Sequence, residues 1–268
     1  MIMMKNNNLI LDLIEIDAVY AVHSTYLDDV IFSREEVINP ILTGGVVKKI
    51  GKDSFNIKPN DFVGFVSYIQ NPNLRLSSNM LLPISEKENV KLFAILPYAS
   101  FAMKILRIIN PSLGQTILLL GEGFFFSLLK KILDLSGVEI KVLNNSMNLD
   151  NLIKMDIDIM IYPNSNSYIS EIITKLHPKH QYEIMTISQY DIGLVDDAYR
   201  KGVKYPYSYI RWDFKKNLEY FINLAKRDNE FLDFFEVNVI DVKNMDSMIH
   251  NINDLKENSL YLFRKVSD

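Results

Sequence analysis

The sequence predicts an α/β protein: an open, mostly parallel sheet with a second, smaller β-rich module. Three observations predict it. Residues Thr116 to Asn144 read as strand, tight turn, helix, glycine and strand. Strand and helix patterns keep alternating after Asn144, which argues a parallel sheet. Short strands separated by Gly and Pro turns fill the first third of the chain and suggest the β-rich part.

The central unit sets the rest. Thr116 to Leu120 is a short apolar run of the kind buried in a parallel sheet. Gly121 and Gly123 let the chain turn sharply and bring backbone close to a ligand. Phe124 to Ser136 is read as a helix, with Phe125, Leu128, Leu129, Ile132 and Leu135 inward and Lys130, Lys131 and Asp134 largely opposite. Gly137 is its expected stop, and Val138 to Leu143 the next strand. The Gly-x-Gly lies where a dinucleotide fingerprint belongs. The fingerprint is incomplete: Phe126 stands at the third glycine, and Asn144 at the acidic position about 20 residues on. The first loss affects helix–strand packing, the second the ribose contact.

Composition narrows the chemistry. The 268 residues allow one large domain or two modest ones, and 48% hydrophobic content is ample for a core. A net charge of -4 gives no global attraction to nucleic acid or an anionic membrane, and neither is expected as a partner. With no cysteine there is no disulfide, no thiolate nucleophile and no Cys-based zinc site. Met1 to Asn8 is polar, no apolar run reads as long enough to cross a bilayer, and a cytoplasmic location is expected.

Along the chain, Leu9 to His23 reads as two strands with a turn near Asp17, and residues 24 to 39 as irregular. Pro40 to Gly51 is a strand ending at a glycine, and Phe55 to Val66 a polar turn opening another strand. Residues 70 to 79 read as a polar loop. Val90 to Ile109 has a helical period that Pro97 interrupts, which predicts two helices with a break. Beyond the central unit come helix Asn148 to Met155, strand Ile157 to Tyr162, helix Tyr168 to Leu176 and strand Glu183 to Ile187. Asp196 to Lys201 reads as helical and Val203 to Ile210 as extended. Asp213 to Lys226 is an amphipathic helix with Leu218, Phe221, Ile222 and Ala225 inward. The tail reads as strand Phe234 to Val239, helix Asp246 to Leu255 and strand Leu260 to Lys265.

This order of parts resembles the medium-chain dehydrogenase/reductase superfamily, the zinc-type alcohol dehydrogenase and quinone reductase group. Gly45-Val-Val-Lys-Lys-Ile-Gly51 is similar to its Gly-x-Val-x-x-Val-Gly strand. Ile57-Lys-Pro-Asn-Asp-Phe-Val63 resembles its F-x-x-G-D-x-V, with Asn60 in place of the glycine. Leu82-Pro-Ile-Ser followed by Ala94-Ile-Leu-Pro-Tyr-Ala-Ser-Phe-Ala102 looks like the segment leading into its cofactor domain. The resemblance covers nearly the whole chain. It implies a Rossmann-type doubly wound domain over residues 98–231 and a reduced GroES-like catalytic domain over 1–97 with 232–268. It also implies a divergent member shorter than usual, without the lobe that carries a structural zinc, and pairing as a homodimer.

The resemblance also directs attention to particular residues. His23, in Ala21 to Leu27, falls where the family's first catalytic zinc ligand stands. The Gly-His-Glu element is absent, and one ligand does not make a zinc site; no metal is expected. Candidates for a proton donor or oxyanion partner are Tyr98, Tyr26 and His23, by position. Against this, Tyr98 beside Pro97 also reads as ordinary packing, and His23 as a satisfied histidine. The cofactor set is Gly121, Gly123, Phe124, Asn144, Asn145, Ser146 and Asn164. A neutral Asn144 does not repel a 2′-phosphate, so NADP(H) is expected over NAD(H), although no Arg follows it.

Two functions of different class follow. One is a zinc-independent NAD(P)H-dependent reductase of a small carbonyl or activated alkene. The other is a catalytically degenerate relative with no cofactor, kept as a binding or assembly partner of another protein. A nucleotide or ligand sensor lies between them.

Overall fold

Two sheets built on different rules account for the strands of the computed structural model. It describes residues 13–24, 41–52, 54, 56–67, 73–84, 90–121, 123–143, 156–163, 167–176, 178–188, 191–196, 214–227, 230–244 and 259–266. The chain divides into two compact units. The first holds Met1–Thr25, Ile38–Ser100 and Arg211–Asp268, and the second Tyr26–Val37 and Phe101–Ile210. The segment 211–231 thus groups with the first unit.

The first unit contains β1 (Leu13–Ser24), β2 (Ile41–Lys49), β3 (Phe62–Ser67), β4 (Asn73–Ser77), β5 (Leu82–Pro83), β11 (Val237–Val242) and β12 (Leu260–Lys265). They form one sheet in the order β11-β12-β1-β2-β3-β5, with β4 on β1. β1 corrects the expected hairpin near Asp17. It runs unbroken for 12 residues, and its pairing with β2 shifts register after Glu15 and around Tyr20. Its first half pairs with β4 and its second with β12. Bulges absorb the break in alternation that a turn would otherwise explain. β4 corrects the loop expected at 70–79: Leu74 and Leu76 point inward and join Ile14, Ile16 and Phe65 in the core. The tail strand begins at Val237 rather than Phe234, because residues 230–235 form turns and Phe234 is exposed.

Helix α1 (Lys91–Ile109) is continuous through Pro97, against the expected break. Proline removes one N–H and crowds the preceding turn. Dense burial of the helix outweighs that cost: Phe93, Ala94, Leu96 and Ala99 are each 3% exposed or less. Glycines on the sheet make room for it. A β-carbon on Gly44 would lie 2.6 Å from the Phe93 ring, and one on Gly64 would lie 2.9 Å from Leu96. Phe93 also stacks on Tyr20, with ring centroids 4.3 Å apart. By length and composition α1 could span a bilayer, contrary to the sequence reading, but 83% of that stretch is buried. Apolar residues all round, covered by protein, describe a core helix.

The second unit holds β6 (Thr116–Leu120), α2 (Phe124–Asp134), β7 (Glu139–Leu143), β8 (Ile159–Pro163), α3 (Ser167–Leu176), β9 (His180–Ser188) and β10 (Asp191–Asp196). The sheet order is β10-β9-β8-β6-β7. β7, β6, β8 and β9 are parallel, and β10 is an antiparallel edge. Asp196 therefore ends a strand instead of opening a helix. Gly193 hid that strand, since glycine has little strand preference. Leu135, expected inward, is the C-cap of α2 and 47% exposed. Gly137 follows at φ 72°, as a helix stop requires. Helix α4 (Phe214–Arg227), in the first unit, buries Leu218, Phe221, Ile222 and Ala225. The expected helices at 148–155 and 246–255, the stretch 197–201 and the extended stretch at 203–210 lie outside the described residues.

Asp158 ties three parallel strands at their starting edge. Its carboxylate accepts from the Thr116 amide at 2.9 Å and from Lys179 Nζ at 2.7 Å. Its own backbone bonds Thr116 and His180. The Lys179 ammonium, and next the Thr116 amide, hold the Asp158 carboxyl below the usual carboxylate range. That stabilisation is present in full above about pH 4, the ordinary carboxylate value, and fades as pH falls through the depressed one. Asp158→Asn is expected to lower the melting temperature at pH 7. Its deficit against the parent chain should shrink below about pH 4 in a pH series of thermal melts.

Asn60 stands in the first unit where the resembled motif has glycine, and its φ is 71°. Its amide bonds Val47 O at 2.8 Å, and the Lys58 amide bonds Asp61 Oδ2 at 2.7 Å. Asparagine tolerates this left-handed backbone better than other non-glycine residues. Asn60→Val should cost about 1–2 kcal/mol in urea unfolding, whereas Asn60→Gly should be nearly neutral.

Candidate cofactor site

β6 is paired on both edges, with β7 on one side and β8 on the other. The connection from β6 goes to β7, and the chain later returns to the other side at β8. Strand order therefore reverses between β6 and β8. In open parallel sheets, ligands bind beyond the carboxyl ends of the strands at such a reversal. Here that end is Leu120 and Gly121.

Gly121 leads to Gly123, the N-cap of α2, which has φ 93° and ψ -178°. Essentially only glycine adopts that conformation without strain. The N-cap has no side chain to accept from the helix amides. First-turn amides have no acceptor within a helix, so this end presents donors with partial positive charge. Ser127 closes the turn, with its amide and hydroxyl both donating to Gly123 O, at 3.1 Å and 3.0 Å. Asp158 and Lys179 are at the opposite ends of these strands, where β6 begins.

The three phenylalanines are core residues. Phe124, Phe125 and Phe126 are 6%, 2% and 3% exposed. Phe126 does not simply push outward from the third-glycine position. Its ring lies on Gly121, with ring carbons 2.3–2.6 Å from where a β-carbon of Gly121 would be. Phe125 meets it edge-on at 5.8 Å. Residue spacing identifies Phe126 as a misfit at the third-glycine position, but its partner Gly121 depends on the direction of the side chain, which spacing does not give.

The other expected site residues are placed unevenly. Tyr98 is on α1 and 1% exposed. His23 is on β1 in register with Tyr261, and its side chain lies outside the described residues. Tyr26, Asn144, Asn145, Ser146 and Asn164 lie outside them as well. The described structure therefore brings together Gly121, Gly123 and Phe124 from the cofactor set. Among the described residues no group of three His, Cys, Asp or Glu is arranged to hold a metal.

No family model and no curated protein matches this chain. Solved structures do. JamJ enoyl reductase in its apo form matches with a TM-score of 0.63 at 9% identity, over 99% of this chain and 94% of that one. Escherichia coli quinone oxidoreductase complexed with NADPH matches at 0.60 and 10%, over 98% and 94%. CAD from Helicobacter pylori complexed with NADP(H) matches at 0.53 and 12%, over 94% and 90%. At such identities the likeness speaks to the fold alone. A mostly parallel sheet with a glycine turn at its strand reversal, a separate bulged and mostly antiparallel sheet that includes the tail strands, and these matches over almost the full chain agree: the protein has the medium-chain dehydrogenase/reductase fold, with Rossmann-type and GroES-like units.

Proposed function

We propose that this chain is a zinc-independent oxidoreductase that uses NADP(H) to reduce a small carbonyl compound or an activated alkene. The observation that carries this reading is the uncapped glycine turn Gly121–Gly123 at the strand reversal of the parallel sheet. Two proteins of the same fold are complexed with NADPH or NADP(H), which supports the choice of cofactor.

The turn fits a diphosphate in one respect and departs in another. Gly123 leaves backbone open to close approach, and the first-turn amides of α2 would hold the diphosphate. Gly121 faces the chain's own Phe126. When bound, a nicotinamide supplies the hydride, while the protein supplies orientation, exclusion of water and a proton. Asn144, Asn145 and Ser146 are assigned to the ribose and its 2′-phosphate. Tyr26, His23 and Tyr98 are the proton-donor candidates. Tyr98, at 1% exposed, could donate only inside an enclosed site.

Thermal shift tests the reading. NADPH is expected to raise the melting temperature of the full chain, and NADH to do so less at equal concentration. Gly123→Ala should weaken NADPH binding at least about tenfold, because alanine is strained at that φ. Absence of any shift with either nucleotide would overturn the proposal.

A further inference from the structure

The contact between Phe126 and Gly121 has a bearing on cofactor affinity, granted the NADP(H) reading above. A third glycine at this position lets helix and strand pack closely. Here a phenyl ring fills that place, 3% exposed and lying on Gly121. Carbon atoms in contact stay about 3.5–4 Å apart, centre to centre. A ring on the third helical residue, resting on the strand end, therefore keeps the first turn of α2 farther from Gly121 than glycine would. The amides of that turn are the groups a diphosphate would use. The missing side chain at Gly121 is occupied by the chain's own ring. Glycine at 121 and phenylalanine at 126 thus form a size-matched pair: either a β-carbon at 121 or a close-packed helix would need the ring to leave.

We infer that Phe126 is a positioning residue that sets dinucleotide affinity by spacing the first turn of α2 from Gly121, and that it holds that affinity below what the same turn would give without the ring. It touches no ligand, being buried, and acts through the backbone amides. The effect is specific to the diphosphate, because the ribose 2′-phosphate binds elsewhere.

The test uses the full chain and its Phe126→Ala and Phe126→Leu variants. NADPH is titrated by its fluorescence, and 2′-AMP, which lacks the diphosphate, by calorimetry. The NADPH Kd should fall at least about tenfold in Phe126→Ala and by less in Phe126→Leu, with 2′-AMP affinity unchanged in both. Leucine keeps most of the core filled. If the alanine variant does not fold, Gly121→Ala/Phe126→Ala returns a methyl group to the vacated space and is read in its place. An NADPH Kd that is unchanged or higher in the variants, with the parent chain binding normally, overturns the inference and leaves the NADP(H) reading standing. Equal changes for NADPH and 2′-AMP also overturn it, since they mark a general structural effect. If neither parent nor variants bind either nucleotide, the NADP(H) reading fails and the inference with it.

Discussion

β6 has a hydrogen-bonded neighbour on each edge, and Ile117 to Leu120 are each 5% exposed or less. A strand held in this way cannot slide or turn over without exposing its apolar side chains or breaking two ladders. Its end is consequently fixed, and so is the start of the turn that follows. The far end is fixed too, where Asp158 joins β6, β8 and the approach to β9. Anchoring lies at one edge of this sheet and the glycine turn at the other. The turn can depart from a standard motif without loosening the sheet that carries it.

Two glycines of the resembled motifs have been replaced, and the structure meets the two losses differently. At Asn60 the requirement was conformational, a positive φ, and asparagine meets it directly. At Phe126 the requirement was spatial, a close approach of helix to strand. No side chain can meet that, and the ring lies on the bare face of Gly121. The first replacement leaves the backbone path intact. The second changes the spacing of the groups that would meet a ligand.

Legibility followed the range of the forces involved. The β6–α2–β7 unit was readable because its strand run, its glycines and its 3.6-residue period lie within thirty consecutive residues, and each acts locally. Helix α4 was readable for the same reason, from Leu218, Phe221, Ile222 and Ala225. The errors came where distant partners decide. β1 passes through Asp17 because β4, β2 and β12 each take part of it. α1 passes through Pro97 because the residues around it, 92–105, are buried on every side. β4 carries only Leu74 and Leu76 in alternation, and in β10 Ile192 and Leu194 alternate before Val195 breaks the pattern, too little to separate from a loop without their neighbours.

The sequence by itself determined the class of fold, the position of the glycine turn, the absence of cysteine chemistry and the presence of a misfit at residue 126. These are matters of residue type and short spacing. Only the tertiary structure decided which strands flank β6, where the chain reverses direction across the sheet, and which atom group receives the Phe126 ring. Those depend on contacts between segments far apart in the chain or on the packing direction of one side chain, and neither is written in a local pattern.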